Sequence, residues 1–181
     1  MKKIFITGGA RSGKSKYALE MAKEIGGEVT FVATCIPDDS EMRERIEEHK
    51  KMRPKEWHTI EESLNLPKAI AKISTPVIIV DCLTLWIANL MEAKMDVVEA
   101  SKDLFCALKK VRKTAIVVSN EVGSGIVPDN RLAREFRDMA GVVNQQMAQI
   151  ADEVYLMVAG IPVKIKGGKN AEEDFREDQT D

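Results

Sequence analysis

Eight residues near the start of the chain, Gly8-Gly9-Ala10-Arg11-Ser12-Gly13-Lys14-Ser15, fit the pattern GxxxxGK[ST]. Such a loop does phosphate chemistry. Its glycines let backbone N–H groups turn inward around phosphate oxygens, and the helix that follows adds positive potential at its N-terminus. The lysine reaches the outer phosphates, and the final hydroxyl can hold Mg2+. A metal-bound triphosphate also asks for a carboxylate at the end of a neighbouring strand, and Asp81, closing the apolar run Val77-Ile78-Ile79-Val80, has that place. The same Asp81 could instead cap a helix beginning near Leu83. The pattern predicts a nucleoside triphosphate held by Gly8 to Ser15, with Mg2+ at Ser15 and Asp81. The NKxD box that reads guanine in regulatory GTPases is absent, and Asp81-Cys82-Leu83-Thr84 lacks the glycine of a DxxG switch, so a classical GTPase switch is not expected.

Imidazole chemistry has two candidates, His49 and His58. On a helix predicted over Glu41 to Met52, residues Met42, Ile46 and His49 recur at i, i+4 and i+7. His49 therefore shares a face with apolar side chains, while Arg43, Glu44, Glu48 and Lys50 point largely elsewhere. That placement suits a structural histidine on a packed face as well as a nucleophile. Lys50 and Arg53 close the same segment, either as a basic helix end complementing the helix dipole or as charge beside a phosphate. His58, in Glu56-Trp57-His58-Thr59, has no pattern around it and is expected in a loop. Cys35, Cys82 and Cys106 are widely spaced without a CxxC pair, which fits buried small hydrophobes better than a disulfide framework or a zinc site.

The elements that must position these groups follow from periodicity. Lys3 to Thr7, Val29 to Ala33, Val77 to Asp81 and Thr114 to Ser119 are short, unbroken apolar runs, as expected of parallel strands covered by helices on both faces. Helices are predicted over Gly13 to Ile25, Glu41 to Met52 (after the breaker and cap Pro37-Asp38-Asp39-Ser40), Leu64 to Ile73, Leu83 to Met91, Val97 to Arg112 and residues 131 to 151. Asn130 is expected to cap the last of these. Its Arg131, Arg134 and Arg137 are expected to form a solvated charged face. Glu153 to Val158 and Val163 to Ile165 are expected as closing strands around Gly160-Ile161-Pro162. Strands alternating with helices predict an α/β fold with a mostly parallel sheet flanked by helices on both faces, and with the loop at Gly8 to Ser15 between strand and helix the expected class is P-loop NTPase-like, RecA-like. One domain is expected over 1–166, with an acidic, disordered tail over 167–181.

Composition narrows the classes further. The 181 residues are 44% hydrophobic and 31% charged, which excludes a disordered or low-complexity chain. Residues 167–181 hold two basic and six acidic side chains, leaving a near-neutral body that does not suggest nucleic-acid binding. No apolar run is long enough to span a membrane, and Met1 to Gly8 is too short in apolar residues for a signal peptide, so a cytoplasmic location is expected.

Taken together, these segments resemble the bifunctional adenosylcobinamide kinase / adenosylcobinamide-phosphate guanylyltransferase family of cobalamin nucleotide-loop assembly. The carriers are Thr7 to Ser15; Ala33-Thr34; Arg45-Ile46-Glu47-Glu48-His49-Lys50 with Arg53-Pro54, Trp57, Thr59 and Glu61; Asp81-Cys82-Leu83-Thr84 with Asn89-Leu90; Ser119 to Gly123 through Ile126 to Arg131; and Gly160 to Lys166. The resemblance implies two reactions. ATP or GTP phosphorylates the aminopropanol hydroxyl of adenosylcobinamide. GTP then guanylylates an enzyme histidine, which passes GMP to adenosylcobinamide-phosphate and gives adenosylcobinamide-GDP. It places the nucleophile at His49, next to Glu48 where many members carry a second histidine, and GTP contacts at Thr34, Lys50, Arg53 and Glu61. It also implies a homo-oligomer, a trimer. A neutral imidazole can attack phosphorus without a separate base, and Lys50 and Arg53 would answer the charge gathering on the phosphates. Two other classes stay open on the residues alone: a small-molecule P-loop kinase whose His49 is structural, and a RecA-like ATPase module working through partners.

Overall fold

The computed structural model describes residues 1–36 and 40–167. The breaker expected at Pro37, the side chains of Ser40 and Met42, and the tail expected beyond Gly167 lie outside the described residues. Seven strands, β1 (Lys3–Gly8), β2 (Val29–Ala33), β3 (His58–Glu61), β4 (Val77–Asp81), β5 (Thr114–Val118), β6 (Glu153–Val158) and β7 (Ile161–Lys166), form one sheet in the order β3-β2-β4-β5-β1-β6-β7. Every neighbouring pair is parallel except β6 and β7, which form an antiparallel hairpin. Among the described residues six helices accompany the sheet: α1 (Lys14–Ile25), α2 (Ser40–Lys51), α3 (Leu66–Lys72), α4 (Leu83–Glu92), α5 (Val97–Lys110) and α6 (Arg131–Ile150).

Both faces of the sheet are covered, and alternation along each strand explains the unbroken apolar runs. Phe5, Val32, Ile78, Val80 and Val117 point into one core with side chains of α3 to α6. Ile4, Ile6, Phe31, Ile79 and Val118 point into the other, against Ala18, Leu19 and Ala22 of α1. A strand buried on both sides has no polar face to show. In α4, Leu83, Trp86, Ile87 and Leu90 recur at helical spacing and are fully buried, each contributing about 1.5–3 kcal/mol of burial. The Trp86 indole N–H donates to the Leu64 carbonyl at 2.9 Å, so no polar atom of that ring is stranded. Asn130 caps α6 as expected, its side-chain oxygen accepting from the Ala133 N–H at 2.7 Å.

Three local expectations are corrected. His58 lies on a strand, not in a loop: residues 58–61 pair in parallel with Thr30 to Ala33 at the sheet edge, a pairing that no apolar pattern announces because the strand is largely exposed. The α3 helix starts at Leu66 and not at Leu64, because the Glu62 carboxylate accepts from the N–H groups of both Leu64 and Asn65 and holds that stretch as a turn before Pro67. The last turn centres on Ala159-Gly160, both at positive φ (50° and 84°), so Ile161 and Pro162 belong to β7. Two residues at positive φ make a tight hairpin whose twist matches its strands.

Glu153 anchors the start of β6. Its carboxylate pairs with Lys2 and with Lys164 (3.3 Å) and accepts from the Tyr155 hydroxyl at 2.7 Å. The hydrogen bond from Lys2 outweighs the opposing effect of burial and, with Tyr155 and Lys164, holds the carboxyl down to about 2 from its ordinary 4.5. Burial, and then the adjacent Glu153, push the Tyr155 phenol up. A carboxylate with a depressed folded-state value stabilises the fold above its unfolded value, and that contribution is lost as pH falls from about 4.5 towards about 2. Glu153→Gln is therefore expected to destabilise the protein by about 2 kcal/mol at neutral pH, a figure discounted for the exposure of Lys2. It should also flatten the acid limb of stability measured by urea unfolding between pH 4.5 and 2. A variant whose acid limb overlays the parent's would remove Glu153 from this account.

Candidate active site

The P-loop joins β1 to α1 as expected. Gly8 sits at φ +150°, where a Cβ would lie 2.5 Å from the Met157 carbonyl oxygen, and Gly13 sits at φ +93°. Neither position accepts a side chain without strain. Lys14 is 6% exposed, its ammonium donating to the Gly9 carbonyl at 2.6 Å with the Ser12 hydroxyl 3.4 Å away. The loop thus curls around its own lysine.

A cleft of about 690 Å³ opens at the carboxyl ends of the parallel strands. Arg11 to Ser15 form one wall. Ala33 at the end of β2, Glu61 at the end of β3 and Asp81 at the end of β4 line it as well, as does Asn120 just past β5. The wall contributed by α2 carries His49 and Lys50, followed by Arg53. The structure therefore brings His49 and the P-loop, more than thirty residues apart in the chain, to one cleft. The face bearing Ile46 and His49 is turned to this cleft and not into the core. Arg43, Glu47, Glu48 and Lys50 line it too, so the expectation that Arg43, Glu48 and Lys50 point elsewhere is corrected. A helix laid across an open cleft presents more than one face to it.

Lys50 spans 3.3 Å to Glu61 and 3.4 Å to Glu47, a pairing that ties α2 to β3 and raises the lysine's pKa, Glu61 contributing most. Arg53 stacks its guanidinium 3.6 Å from the centre of the Phe31 ring. Its Nε and Nη1 are buried without a hydrogen-bond partner, and burial lowers its pKa against the pull of Asp81 and Glu61. A cation held on an aromatic face with unspent donors beside a cleft can donate to an anion's oxygens.

Ser15 and Asp81 line the same cleft. Asp81 does not cap α4: the cap residue is Cys82, which makes no side-chain cap bond. A hydroxyl and a carboxylate are hard oxygen donors. With no group of three or more His, Cys, Asp and Glu gathered among the described residues, they suit Mg2+ held mainly through phosphates and water. The Cys82 thiol, raised to about 11 by burial and then by Asp81, stays protonated and is no rival nucleophile.

Gly8, Gly9, Ala10 and Thr34 do not line the cleft. The fully buried Thr34 hydroxyl donates to the Cys82 carbonyl and accepts from the Cys82 N–H, both at 2.8 Å, bracing the ends of β2 and β4. His58 also lies off the cleft. Arg131 pairs with Glu135, as expected of a charged face, whereas Arg134 donates to the Pro128 and Asp129 carbonyls and stitches the loop before α6. Sequence reasoning missed Phe31, Arg43 and Asn120. Only Asn120 left a signal, as a polar residue immediately after an apolar strand.

A family model described as cobinamide kinase / cobinamide phosphate guanyltransferase matches residues 4–165. The chain belongs to that family. It is 40% identical over 180 residues to the bifunctional adenosylcobalamin biosynthesis protein CobU of Escherichia coli (strain K12), covering 90% of this chain and 99% of that protein. It is 39% identical over 168 residues to the bifunctional adenosylcobalamin biosynthesis protein CobP of Pseudomonas aeruginosa, covering 90% and 96%. Among solved structures, the flagellar accessory protein FlaH of Methanocaldococcus jannaschii superposes with a TM-score of 0.54 at 15% identity, over 91% of this chain and 78% of that one. The RadB recombinase superposes with 0.51 at 15% identity, over 86% and 73%. Those two likenesses show the P-loop NTPase fold alone. As a member of the cobinamide kinase / guanyltransferase family the chain is an enzyme of cobalamin biosynthesis, with kinase and guanylyltransferase activities. No described helix is long and apolar enough to cross a membrane.

Proposed function

We propose that this enzyme carries out both reactions in the one cleft, on adenosylcobinamide and then on adenosylcobinamide-phosphate. The observation that carries the reading is the shared lining of the P-loop and His49. In the kinase step the loop Gly8 to Ser15 holds the triphosphate of ATP or GTP, with Arg11 to Ser15 facing it from the cleft lining and Gly8 to Ala10 shaping the turn behind them, and Lys14 neutralises the outer phosphates. Ser15 and Asp81 would hold Mg2+, which when bound supplies charge neutralisation on the phosphates. In the guanylyl step an imidazole nitrogen of His49 bonds to the α-phosphorus of GTP, the α,β-bridging bond breaks and pyrophosphate leaves. An oxygen of the corrinoid phosphate then displaces the imidazole, yielding adenosylcobinamide-GDP and free His49. Lys50 and Arg53 supply positive charge to the departing pyrophosphate. Glu61 holds Lys50 in place, and Thr34 serves by bracing the strand ends.

The test uses the unaltered protein with adenosylcobinamide and GTP labelled at the γ- or the α-phosphate. Label from both positions should reach the corrinoid, the α-label by way of a covalent protein adduct. Transfer from the γ-position alone would leave a kinase with a structural histidine; GTP hydrolysis without either transfer would leave an ATPase module. Arg53→Lys, which keeps the charge but loses the planar stack and the fork of donors, is expected to raise the KM for GTP in guanylylation by about tenfold. An unchanged KM would detach Arg53 from the nucleotide. The same reading carries a cytoplasmic location and a homotrimer; the exposed apolar Ile126, Val127 and Leu132 support assembly between copies, which sedimentation checks.

A further inference from the structure

Asn120 is the second residue past β5, and β5 lies in the sheet between β4, which ends in Asp81, and β1, which leads into the P-loop. The carboxyl end of a strand so placed faces the point where the outer phosphates of a P-loop nucleotide gather, between the loop lysine and the carboxylate on the metal side. Asn120 lines the cleft together with Lys14, Ser15 and Asp81. Its backbone is committed on both sides. The N–H donates to the Thr84 hydroxyl of α4 at 2.7 Å, and the carbonyl accepts from the Asn144 amide of α6 at 3.0 Å. The next residue is fixed as well, the Glu121 N–H donating to the Gly8 carbonyl at 2.8 Å. Only the side-chain amide of Asn120 has no hydrogen-bond partner among the described residues. Two helices and the P-loop thus hold in place a cleft-lining residue whose one unspent polar group is its side-chain amide.

We propose that the Asn120 amide donates a hydrogen bond to the terminal phosphate of the bound triphosphate and stabilises it during transfer. The inference rests on the kinase reading above. In that step the cobinamide hydroxyl oxygen bonds to the γ-phosphorus and the bond from phosphorus to the β,γ-bridging oxygen breaks. The nucleoside diphosphate departs with the electron pair, and the hydroxyl proton passes to solvent. A donor already fixed against the non-bridging oxygens costs no reorganisation as charge redistributes, and loss of one such donor lowers turnover by about 10²- to 10³-fold. Thr84 and Asn144 are positioning residues for it, since their hydrogen bonds go to its backbone.

Two variants and two readouts test this. Asn120→Ala removes the amide. Asn120→Asp keeps its shape but replaces the donor with a negative charge facing phosphate. Both are expected to melt within a few degrees of the parent and to lower kcat for cobinamide phosphorylation about 10²-fold or more, with the KM for cobinamide little changed. The parent is expected to bind GTP more tightly than GDP, and Asn120→Ala should narrow that ratio about tenfold, the weight of one hydrogen bond to a charged group. A purely structural Asn120 would tolerate aspartate and leave the GTP to GDP ratio untouched. Kinase kcat within threefold of the parent in folded Asn120→Asp, or an unchanged binding ratio in Asn120→Ala, would overturn the proposal. Both binding measurements are made without cobinamide and in the His49→Ala background, where GTP forms no covalent adduct, so the ratio is read without turnover and decides the role of Asn120 even if the unaltered protein fails to phosphorylate cobinamide.

Discussion

Lys14→Ala is expected to abolish both half-reactions, each falling at least about 10³-fold in assays with γ- and α-labelled GTP. The loss follows from where the ammonium is held. Lys14 is almost fully buried, its Nζ sits against the Gly9 carbonyl, and the loop that would surround the phosphates curls around it. A triphosphate entering that loop brings several negative charges out of water, and the cost of that desolvation is met at close range by Lys14. Lys50 and Arg53 line the same cleft from α2 and the residues after it, outside the loop, and Lys50 is already paired with Glu47 and Glu61. The fold should survive the change, since alanine is favourable in a helix and the Lys14 side chain joins neither hydrophobic core. Turnover of either half-reaction at the parent's rate would move the phosphate site away from Gly8 to Ser15.

The second large effect separates the two chemistries. His49→Ala is expected to lose all covalent label from α-labelled GTP while keeping most of its kinase turnover, because transfer of a γ-phosphoryl group to a hydroxyl asks only for positioning and charge neutralisation around the P-loop. His58→Ala should label normally: that imidazole sits on the exposed edge strand β3, opposite Thr30, away from the cleft. The adduct offers a check independent of mutation. A phosphoramidate on imidazole is acid-labile and alkali-stable, unlike a serine or threonine ester. Acid-labile label persisting in His49→Ala would refute the assignment.

How much of this was written in the chain depends on the range of the physics involved. The P-loop, the apolar strands that feed it and the capping Asn130 are local features, and each is legible from a few consecutive residues. The unbroken runs at Val77 to Val80 and Ala115 to Val118 also announce a parallel sheet covered on both faces, since a half-solvated strand would alternate. Asp81 was legible for the same reason, as a carboxylate ending such a run.

Other features exist only because distant segments meet. β3 has no apolar pattern of its own and becomes a strand by pairing with β2, and that pairing carries Glu61 to the cleft and to Lys50. The helical wheel of α2 said that His49 shares a face with Ile46, but whether that face met a core or an opening was decided by where α2 lies across the strand ends. Arg53 on Phe31 and Asn120 between Thr84 and Asn144 are contacts across 22, 36 and 24 positions, set by strand order and helix packing. The sequence by itself determined that phosphate chemistry occurs and on what kind of sheet. Tertiary structure decided which side chains line the cleft, because sheet order and helix placement minimise a free energy summed over the whole core, and no short window of residues contains that sum.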